Sequence, residues 1–304
     1  MRLGAITIFC LAVVPTSAQR PAPTPDFVIS TDVSLVMLDV SVKDAKGGYV
    51  GGLVQDDFKI FEDRKLQPIK HFARLDVPVT VGLVVDNSGS MRLKRPSVIT
   101  AALAFIQASN PHDEMFVVNF NDKVRPGLPP NIPFSDDIPT LRSALWMGNS
   151  EGRTSLFDAV SYSLHHLEKG RKDKKTLVLV SDGGDNASSL ARQQVLREVE
   201  ESHATIYTIG IFEENDPDKN PELLKKLAAI TGGDYYPIGD LSEVLAVSRK
   251  IASDIRNRYT LSYAPPDAVG GHASRSIKVT ASHIGKEKLL VRTRTRYSFP
   301  EGAR

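Results

Sequence analysis

The stretch VTVGLVVDNSGS, residues 79–90, decides the fold of this 304-residue chain. It begins with a run of aliphatic and β-branched residues without a charged side chain, which is typical of a strand buried on both faces of a parallel sheet. The run ends at once in DNSGS, residues 86–90, whose small polar side chains indicate a tight loop. A buried strand followed by a polar loop favours an α/β domain, in which ligands gather at the carboxyl ends of the strands.

The rest of the central region repeats this strand pattern, with helical patterns between the strands. Strands are predicted at residues 115–120, 176–181 and 204–211, and helices at residues 97–109, 155–168, 190–202, 221–231 and 241–258. In the second of these helices, Leu156, Val160 and Leu164 share one face, as expected for a helix that packs on a sheet. The alternation predicts a Rossmann-like α/β fold, with a mostly parallel central sheet covered by helices on both faces.

The segments that flank this region have the shorter period of β structure. Residues 36–42 alternate apolar and polar side chains, and two more short strands are predicted around a turn at residues 63–65. After residue 258 come three further runs of this kind, RYTLSYAP, RSIKVTASH and KLLVRTRTRYSF. The N-terminal strands are too few to close a core of their own, so we expect them to pack on a partner surface.

Composition excludes several classes of protein. With 41% hydrophobic and 24% charged residues, the chain is neither disordered nor collagen-like. Its 38 Lys and Arg against 36 Asp and Glu give no whole-chain reason to expect nucleic acid or an anionic membrane as the partner. Residues 249–304 are basic, but stacking aromatics do not interleave with their arginines, which favours a solvated strand face over a polyanion site.

The N-terminus has the pattern of a secretory signal peptide. After Met1 and Arg2 comes the apolar run LGAITIFCLAVV, then Pro15 and the small residues TSA, which predicts cleavage after Ala18. The alternative is a membrane anchor, but this run is much shorter than the roughly 20 residues that span a bilayer. We therefore expect a signal peptide at residues 1–18, a proline-rich linker at residues 19–26, and a secreted or periplasmic protein without a transmembrane segment. The mature chain would contain no cysteine, because Cys10 belongs to the signal.

Two further polar positions are expected beside the DNSGS loop. The strand at residues 176–181 is followed by Asp182, and Thr154 comes directly before a helix, where its hydroxyl either caps that helix or turns toward a metal. Strand ends of a parallel sheet meet at one edge, and hard divalent cations prefer oxygen ligands. The sequence therefore indicates a site for a hard divalent cation such as Mg²⁺, with Mn²⁺ or Ca²⁺ as alternatives. Its candidate ligands are Asp86, Ser88, Ser90 and Asp182, and Thr154 joins them if it does not cap the helix.

These residues resemble the metal-ion-dependent adhesion site, or MIDAS, of the von Willebrand factor type A (VWA or VWFA) domain. The resemblance covers about residues 78–245 and rests on DNSGS, GRTSLFDAV, SDG and TGGDYYPI. In that family two serines and a threonine coordinate the metal, and the aspartates ligate it or hold its waters. The resemblance implies these roles for the five residues named above.

The flanking segments are similar to those of VWFA-related proteins of Acidobacteria. The similar segments are DDFKIFEDRKLQPIKHF before the domain and RYTLSYAP and RTRTRYSF behind it. The resemblance implies that the N-terminal β segment, residues 27–77, packs with the C-terminal segment, residues 246–304, as a small immunoglobulin-like β-sandwich beside the VWA domain at residues 78–245.

The charge count at the site predicts a binding function. With neutral hydroxyls as most of the direct ligands, the cation would keep positive charge and an exchangeable position that an Asp or Glu of a partner protein can fill. We expect no enzyme, because DNSGS is not the G-x-S-x-G of a serine hydrolase and a glycine-rich phosphate loop does not occur. The alternatives are a structural scaffold with a vestigial or purely stabilising metal site and, less favoured, a magnesium-dependent hydrolase or phosphatase.

Trp146 and Met147 fall in a predicted loop ahead of Thr154. They would either ring the metal as an apolar contact for a partner or pack in the core.

Overall fold

The computed structural model describes residues 35–74, 76–212, 217–265, 274–283 and 288–297. The predicted signal peptide and linker lie outside these residues. The strands, numbered in chain order, are β1 Val36–Lys43, β2 Phe58–Glu62, β3 Lys65–Gln67, β4 His71–Ala73, β5 Val79–Asp86, β6 Glu114–Phe120, β7 Val124–Pro126, β8 Lys174–Ser181, β9 Thr205–Ile211, β10 Tyr235–Ile238, β11 Tyr259–Tyr263, β12 Arg275–Ala281, β13 Leu290–Arg292 and β14 Arg296–Tyr297. The α-helices are α1 Arg95–Ala108, α2 Ile138–Trp146, α3 Leu156–Leu167, α4 Arg192–Glu201, α5 Pro221–Thr231 and α6 Glu243–Arg256.

A six-stranded sheet forms the centre of the molecule, with the order β10-β9-β8-β5-β6-β7. Its first five strands are parallel, and β7 pairs antiparallel with β6 at the edge. Every residue of β5 is buried, as the uninterrupted apolar run predicts. Helices flank the sheet and share one large hydrophobic core with it. The expected α/β fold with a mostly parallel sheet is confirmed.

Gly82 marks the most crowded point of this sheet. A Cβ atom at this position would lie 2.4 Å from Phe116 Cζ and 2.5 Å from Leu177 Cδ2, on the two neighbouring strands. We expect Gly82→Ala to lower the free energy of unfolding by about 1–3 kcal/mol, because extra volume in a packed core forces its neighbours out of place. Urea unfolding measures this change. Gly239→Ala is the control, since a Cβ there meets nothing within 4 Å, and an equal loss in both variants would contradict the packing argument.

Among the elements that the sequence patterns did not predict are α2, β7 and β10. The helix α2 is short and begins at a proline-containing turn, where Asp137 accepts a hydrogen bond from the backbone of Thr140 at 2.8 Å. The strands β7 and β10 are edge strands that contain proline, which weakens the strand pattern. The prediction that Trp146 lies in a loop is wrong, because Trp146 is the last residue of α2.

The flanking segments form two antiparallel four-stranded sheets, β13-β1-β11-β4 and β14-β12-β2-β3. In each sheet, strands from the N-terminal side of the chain pair with strands from its C-terminal side: β1 with β11 and β13, and β2 with β12. Both sheets contribute to a second hydrophobic core that includes Leu38, Ile60, Tyr259 and Ile277. The immunoglobulin-like arrangement of these strands stays a prediction.

A buried ionic network joins β1 to the α/β body. On α6, Asp254 Oδ1 accepts a hydrogen bond from Ser41 Oγ of β1 at 2.7 Å and lies 3.4 Å from Lys43 Nζ. Its Oδ2 lies 3.2 Å from Arg258 Nη2 and accepts a hydrogen bond from the hydroxyl of Tyr207 on β9. Burial by itself would raise the pKa of Asp254, but the charges of Arg258 and Lys43 outweigh it and hold that pKa at about 2. The network therefore holds β1 against β9 and α6.

Candidate metal site

The register of the central sheet places the ends of β5 and β8 side by side. Val85 of β5 pairs with Val180 of β8, so Asp86, the last residue of β5, and Asp182, the first residue after β8, lie at the same edge. After Asp86 the chain makes a short 3₁₀ turn over Gly89–Met91, which turns the two serines of the loop back toward the end of β8. Gly183, with a φ of +81°, turns the chain directly after Asp182, where a Cβ would lie 2.4 Å from the carbonyl oxygen of Asn220.

Hydrogen bonds connect four of the five predicted ligands in one series. Asp86 Oδ1 accepts a bond from the Ser88 backbone at 2.8 Å. The hydroxyl oxygens of Ser88 and Ser90 lie 3.1 Å apart, and Ser90 Oγ donates to Asp182 Oδ2 at 2.6 Å. The structure thus brings Asp86, Ser88, Ser90 and Asp182 together at one point of the sheet edge.

The backbone of Thr154 is tied to the loop that follows β8. Its N–H donates to Asn186 Oδ1 at 2.9 Å, and its carbonyl accepts bonds from the N–H groups of Asn186 and Ala187, both at 3.0 Å. Two residues earlier, the Gly152 carbonyl accepts a bond from the Gly89 N–H of the DNSGS loop at 3.1 Å. Thr154 is buried, and Ser155 rather than Thr154 occupies the N-cap position of α3. The position of Thr154 therefore does not support the alternative that it caps α3.

The electrostatics of the site suit a cation. Asp86 is 1% exposed and Asp182 is 2% exposed. Burial raises the pKa of Asp86 to about 7, the charge of Asp182 adds to the rise, and the hydrogen bonds from Ser181 and Ser88 oppose it only in part. A divalent ion would offset the cost of ionising these two neighbouring acids.

The donor set also fits Mg²⁺ better than a softer metal. Within the described residues, no group of three or more His, Cys, Asp and Glu side chains is placed to hold a metal. The predicted ligands comprise only two carboxylates, so hydroxyl oxygens would have to complete the set. Oxygen ligands together with retained waters are what Mg²⁺ prefers.

Sequence reasoning missed the residues that support the predicted ligands. Ser181 Oγ donates to Asp86 Oδ2 at 2.7 Å, and its place at the end of a predicted strand was a usable signal. Asn87 Nδ2 donates to Asn119 Oδ1 of β6 at 3.1 Å, and Asn119 Nδ2 donates to the Ala144 carbonyl of α2 at 2.9 Å. No local pattern indicates this last chain of bonds, because it links three separate elements.

Trp146 and Met147 lie on the surface, with 53% and 45% of their areas exposed. The core-packing alternative for these two residues is wrong.

Comparisons with known proteins agree with the fold. The sequence matches the family model of the von Willebrand factor type A domain over residues 80–249, more than half of the chain. A solved structure described as von Willebrand factor type A from Catenulispora acidiphila has a TM-score of 0.54 at 14% identity, covering 80% of this chain and 76% of that one. The vWF domain of the type V pili tip protein Mfa5 from Porphyromonas gingivalis has a TM-score of 0.50 at 14% identity, covering 59% of this chain and 95% of that one. Curated proteins gave no match.

Proposed function

Because the chain belongs to the von Willebrand factor type A domain family, we propose that it is a non-enzymatic, adhesion-type binding protein. It would capture an Asp or Glu carboxylate of a partner protein through Mg²⁺, with Mn²⁺ or Ca²⁺ as alternatives. The metal would be held by Asp86, Ser88, Ser90, Thr154 and Asp182. The observation that carries this proposal is the contact of Ser90 Oγ with Asp182 Oδ2 at 2.6 Å, which unites the ends of two central strands.

The chain's own residues have separable tasks in this function. Asp86 and Asp182 are buried, and backbone N–H groups two residues further on, of Ser88 and Gly184, hold their carboxyl groups in fixed positions. Ser90 is only partly buried, so the side of the site that it occupies faces solvent. When bound, the cation would supply a positive charge that neutral hydroxyl ligands leave largely uncompensated. A partner carboxylate would approach from the Ser90 side.

We further propose that the protein acts outside the cytoplasm, in the periplasm or as a secreted protein. The support is the signal-peptide pattern of residues 1–18. Among the described residues, no helix is both long enough and apolar enough to cross a membrane.

The proposal is tested with two measurements on the purified protein. Thermal unfolding in Mg²⁺ should occur a few degrees higher than in EDTA, since a ligand at 100 times its Kd stabilises the folded state by about 2.7 kcal/mol. Immobilised peptides with a central Glu should retain the protein in Mg²⁺ and release it in EDTA, whereas the matching Gln peptides should not retain it. A thermal shift without carboxylate capture would assign the metal a structural role. The absence of both the thermal shift and carboxylate capture would contradict the metal site itself.

A further inference from the structure

Two segments linked to the DNSGS loop carry exposed apolar side chains, here called the apolar patch: Leu93, Trp146 and Met147. We propose that this patch binds a large apolar side chain of the same partner segment whose acidic residue reaches the metal. The partner is thus a protein segment in which Glu or Asp has an aromatic or large aliphatic neighbour within a few residues. This inference rests on the proposed function, because the acidic residue of that segment would bind the metal.

The exposure of these residues is unusual for side chains of their size. Leu93 is 85% exposed, the highest value among the large exposed apolar side chains of the described residues, and Trp146 is 53% exposed. Single exposed apolar residues need no explanation, but here a tryptophan, a methionine and a leucine lie on two segments that Arg95 joins, and such residue types are enriched in binding surfaces. Tryptophan in particular is enriched among the residues that contribute most to binding energy.

Both parts of the patch are tied to the predicted metal ligands. The Met91 N–H donates to the Ser88 carbonyl, and the Lys94 N–H donates to the Met91 carbonyl, both at 3.1 Å, so Leu93 follows Ser90 within two tight turns. The loop that continues from Met147 returns to the DNSGS loop, where the Glu151 N–H donates to the Asn87 carbonyl at 3.0 Å. Both segments of the patch are therefore connected to the loop that carries the predicted ligands Asp86, Ser88 and Ser90.

The part of the patch at Trp146 and Met147 is also held in place before any partner binds. Arg95 Nη2 donates to the carbonyl oxygens of Trp146 and Met147 at 3.0 and 3.1 Å, and its guanidinium lies 6.0 Å from the centre of the Trp146 ring. The Ala144 carbonyl near the end of α2 accepts the bond from Asn119 described above. A surface that is already ordered loses less conformational entropy on binding.

The charges around the patch favour an acidic partner. Arg92 is exposed, and Arg125 Nη1 lies 3.9 Å from the position a Cβ would take at Gly148. Arg95 Nε is buried and makes no hydrogen bond within the described part of the chain. The opposing charge in this loop is that of Glu151. Arginines around an apolar centre complement a segment that carries carboxylates as well as an apolar side chain.

An array of short peptides tests this inference. Each peptide has a central Glu, and the three positions on either side are varied through all residue types. In Mg²⁺ we expect the protein to bind peptides with Trp, Phe, Leu or Met near the Glu about tenfold better than peptides with Ser or Ala there. Trp146→Ala and Leu93→Ser should abolish this preference and leave the Mg²⁺-induced thermal shift unchanged. Leu66→Ser is the control, because Leu66 is 61% exposed on β3, outside the patch.

The outcomes separate this inference from the proposed function. Mg²⁺-dependent binding of Glu peptides without any preference for apolar neighbours would overturn the role of the patch alone. A preference that persists in EDTA and is lost in Trp146→Ala would support the patch and overturn metal capture. A preference that Trp146→Ala and Leu93→Ser retain would overturn the patch, as would equal losses in Leu66→Ser. Binding to vesicles of anionic phospholipid that the two patch variants lose would reassign the surface to a membrane and overturn the protein partner.

Discussion

Replacing Asp254 by alanine should lower the free energy of unfolding by about 3–5 kcal/mol, because it leaves two buried cations without their shared carboxylate. The side chain of Asp254 is fully buried, and that of Arg258, which lies 3.2 Å from it, is only 3% exposed. Lys43 would keep its contact with Asp234 Oδ2 at 2.6 Å, but Arg258 would keep only hydrogen bonds to neutral groups such as the Gly232 carbonyl. Urea unfolding followed by circular dichroism measures the loss.

A matched control comes from the surface of the same helix. Arg256 Nη2 of α6 lies 2.7 Å from Asp76 Oδ2, but both side chains are substantially exposed, at 44% and 37%. Asp76→Ala should therefore cost no more than about 1 kcal/mol, the usual worth of an exposed ion pair. Equal losses in Asp254→Ala and Asp76→Ala would contradict the claim that burial makes the difference.

The same network predicts how stability depends on pH. Asp254 has a folded-state pKa of about 2, below its ordinary value of 3.8, so its contribution is complete above pH 4 and is lost as the pH falls toward 2. From this pKa difference, acidification should lower the free energy of unfolding of the wild-type protein by about 2–3 kcal/mol through Asp254 alone. Asp254→Asn should lack this component. If acid titrations of the two proteins run parallel, Asp254 is not held ionised by its neighbours.

The buried network around Asp254 affects whether the α/β body and the antiparallel sheets behave as separate folding units. The family match ends at residue 249, inside α6, and so excludes Asp254, Arg258 and the strand β1 that contacts them. Charges buried between the two cores connect the α/β body to the antiparallel sheets. We therefore expect both parts to unfold in one transition.

The central sheet could be predicted because each of its inner strands is a local signal. A continuous apolar run such as β5 is recognisable without knowing its neighbours, and the helices between such runs carry their own period. The pairing of β1 with β11 could not be predicted in the same way, because their partner residues lie more than 200 positions apart. Nor does any local pattern show that Asp254 and Lys43 are buried, since charged residues are usually exposed.

At the candidate site, too, local sequence patterns predict some features and not others. Asp86 is the last residue of β5 and Asp182 directly follows β8, so the parallel arrangement of the sheet was enough to place them together. The tie from Asn119 to α2 and the exposure of Trp146 depend on where α2 lies, and α2 itself has only a short, proline-containing pattern. Sequence reasoning thus predicted the proximity of Asp86 and Asp182, but it left the exposure of Trp146 open.

Replacing Asp86 by asparagine should abolish the Mg²⁺-induced thermal shift and lower the affinity for Mg²⁺ by more than about 100-fold. Loss of an outer-shell partner already costs a metal site 10–100-fold, and Asp86 is predicted to be a ligand or to hold the waters of the metal. Isothermal titration calorimetry with Mg²⁺ measures the affinity. Glu151→Gln is the control, because it removes an exposed negative charge from the same rim and should change the affinity only slightly.

Without metal, Asp86→Asn should be no less stable than the wild-type protein. Since burial raises the pKa of Asp86 to about 7, its stabilising contribution is present below pH 4 and is lost as the pH rises through 7. Asparagine has nearly the same shape and no charge to bury, so Asp86→Asn in EDTA at pH 8 should be at least as stable as the wild type. A variant that is less stable in EDTA would make Asp86 a structural residue of the DNSGS loop. A variant that keeps the full Mg²⁺ shift would remove Asp86 from the metal site. Only the combination of lost metal binding and retained metal-free stability fits a carboxylate that is placed, at a cost to folding, to meet a cation.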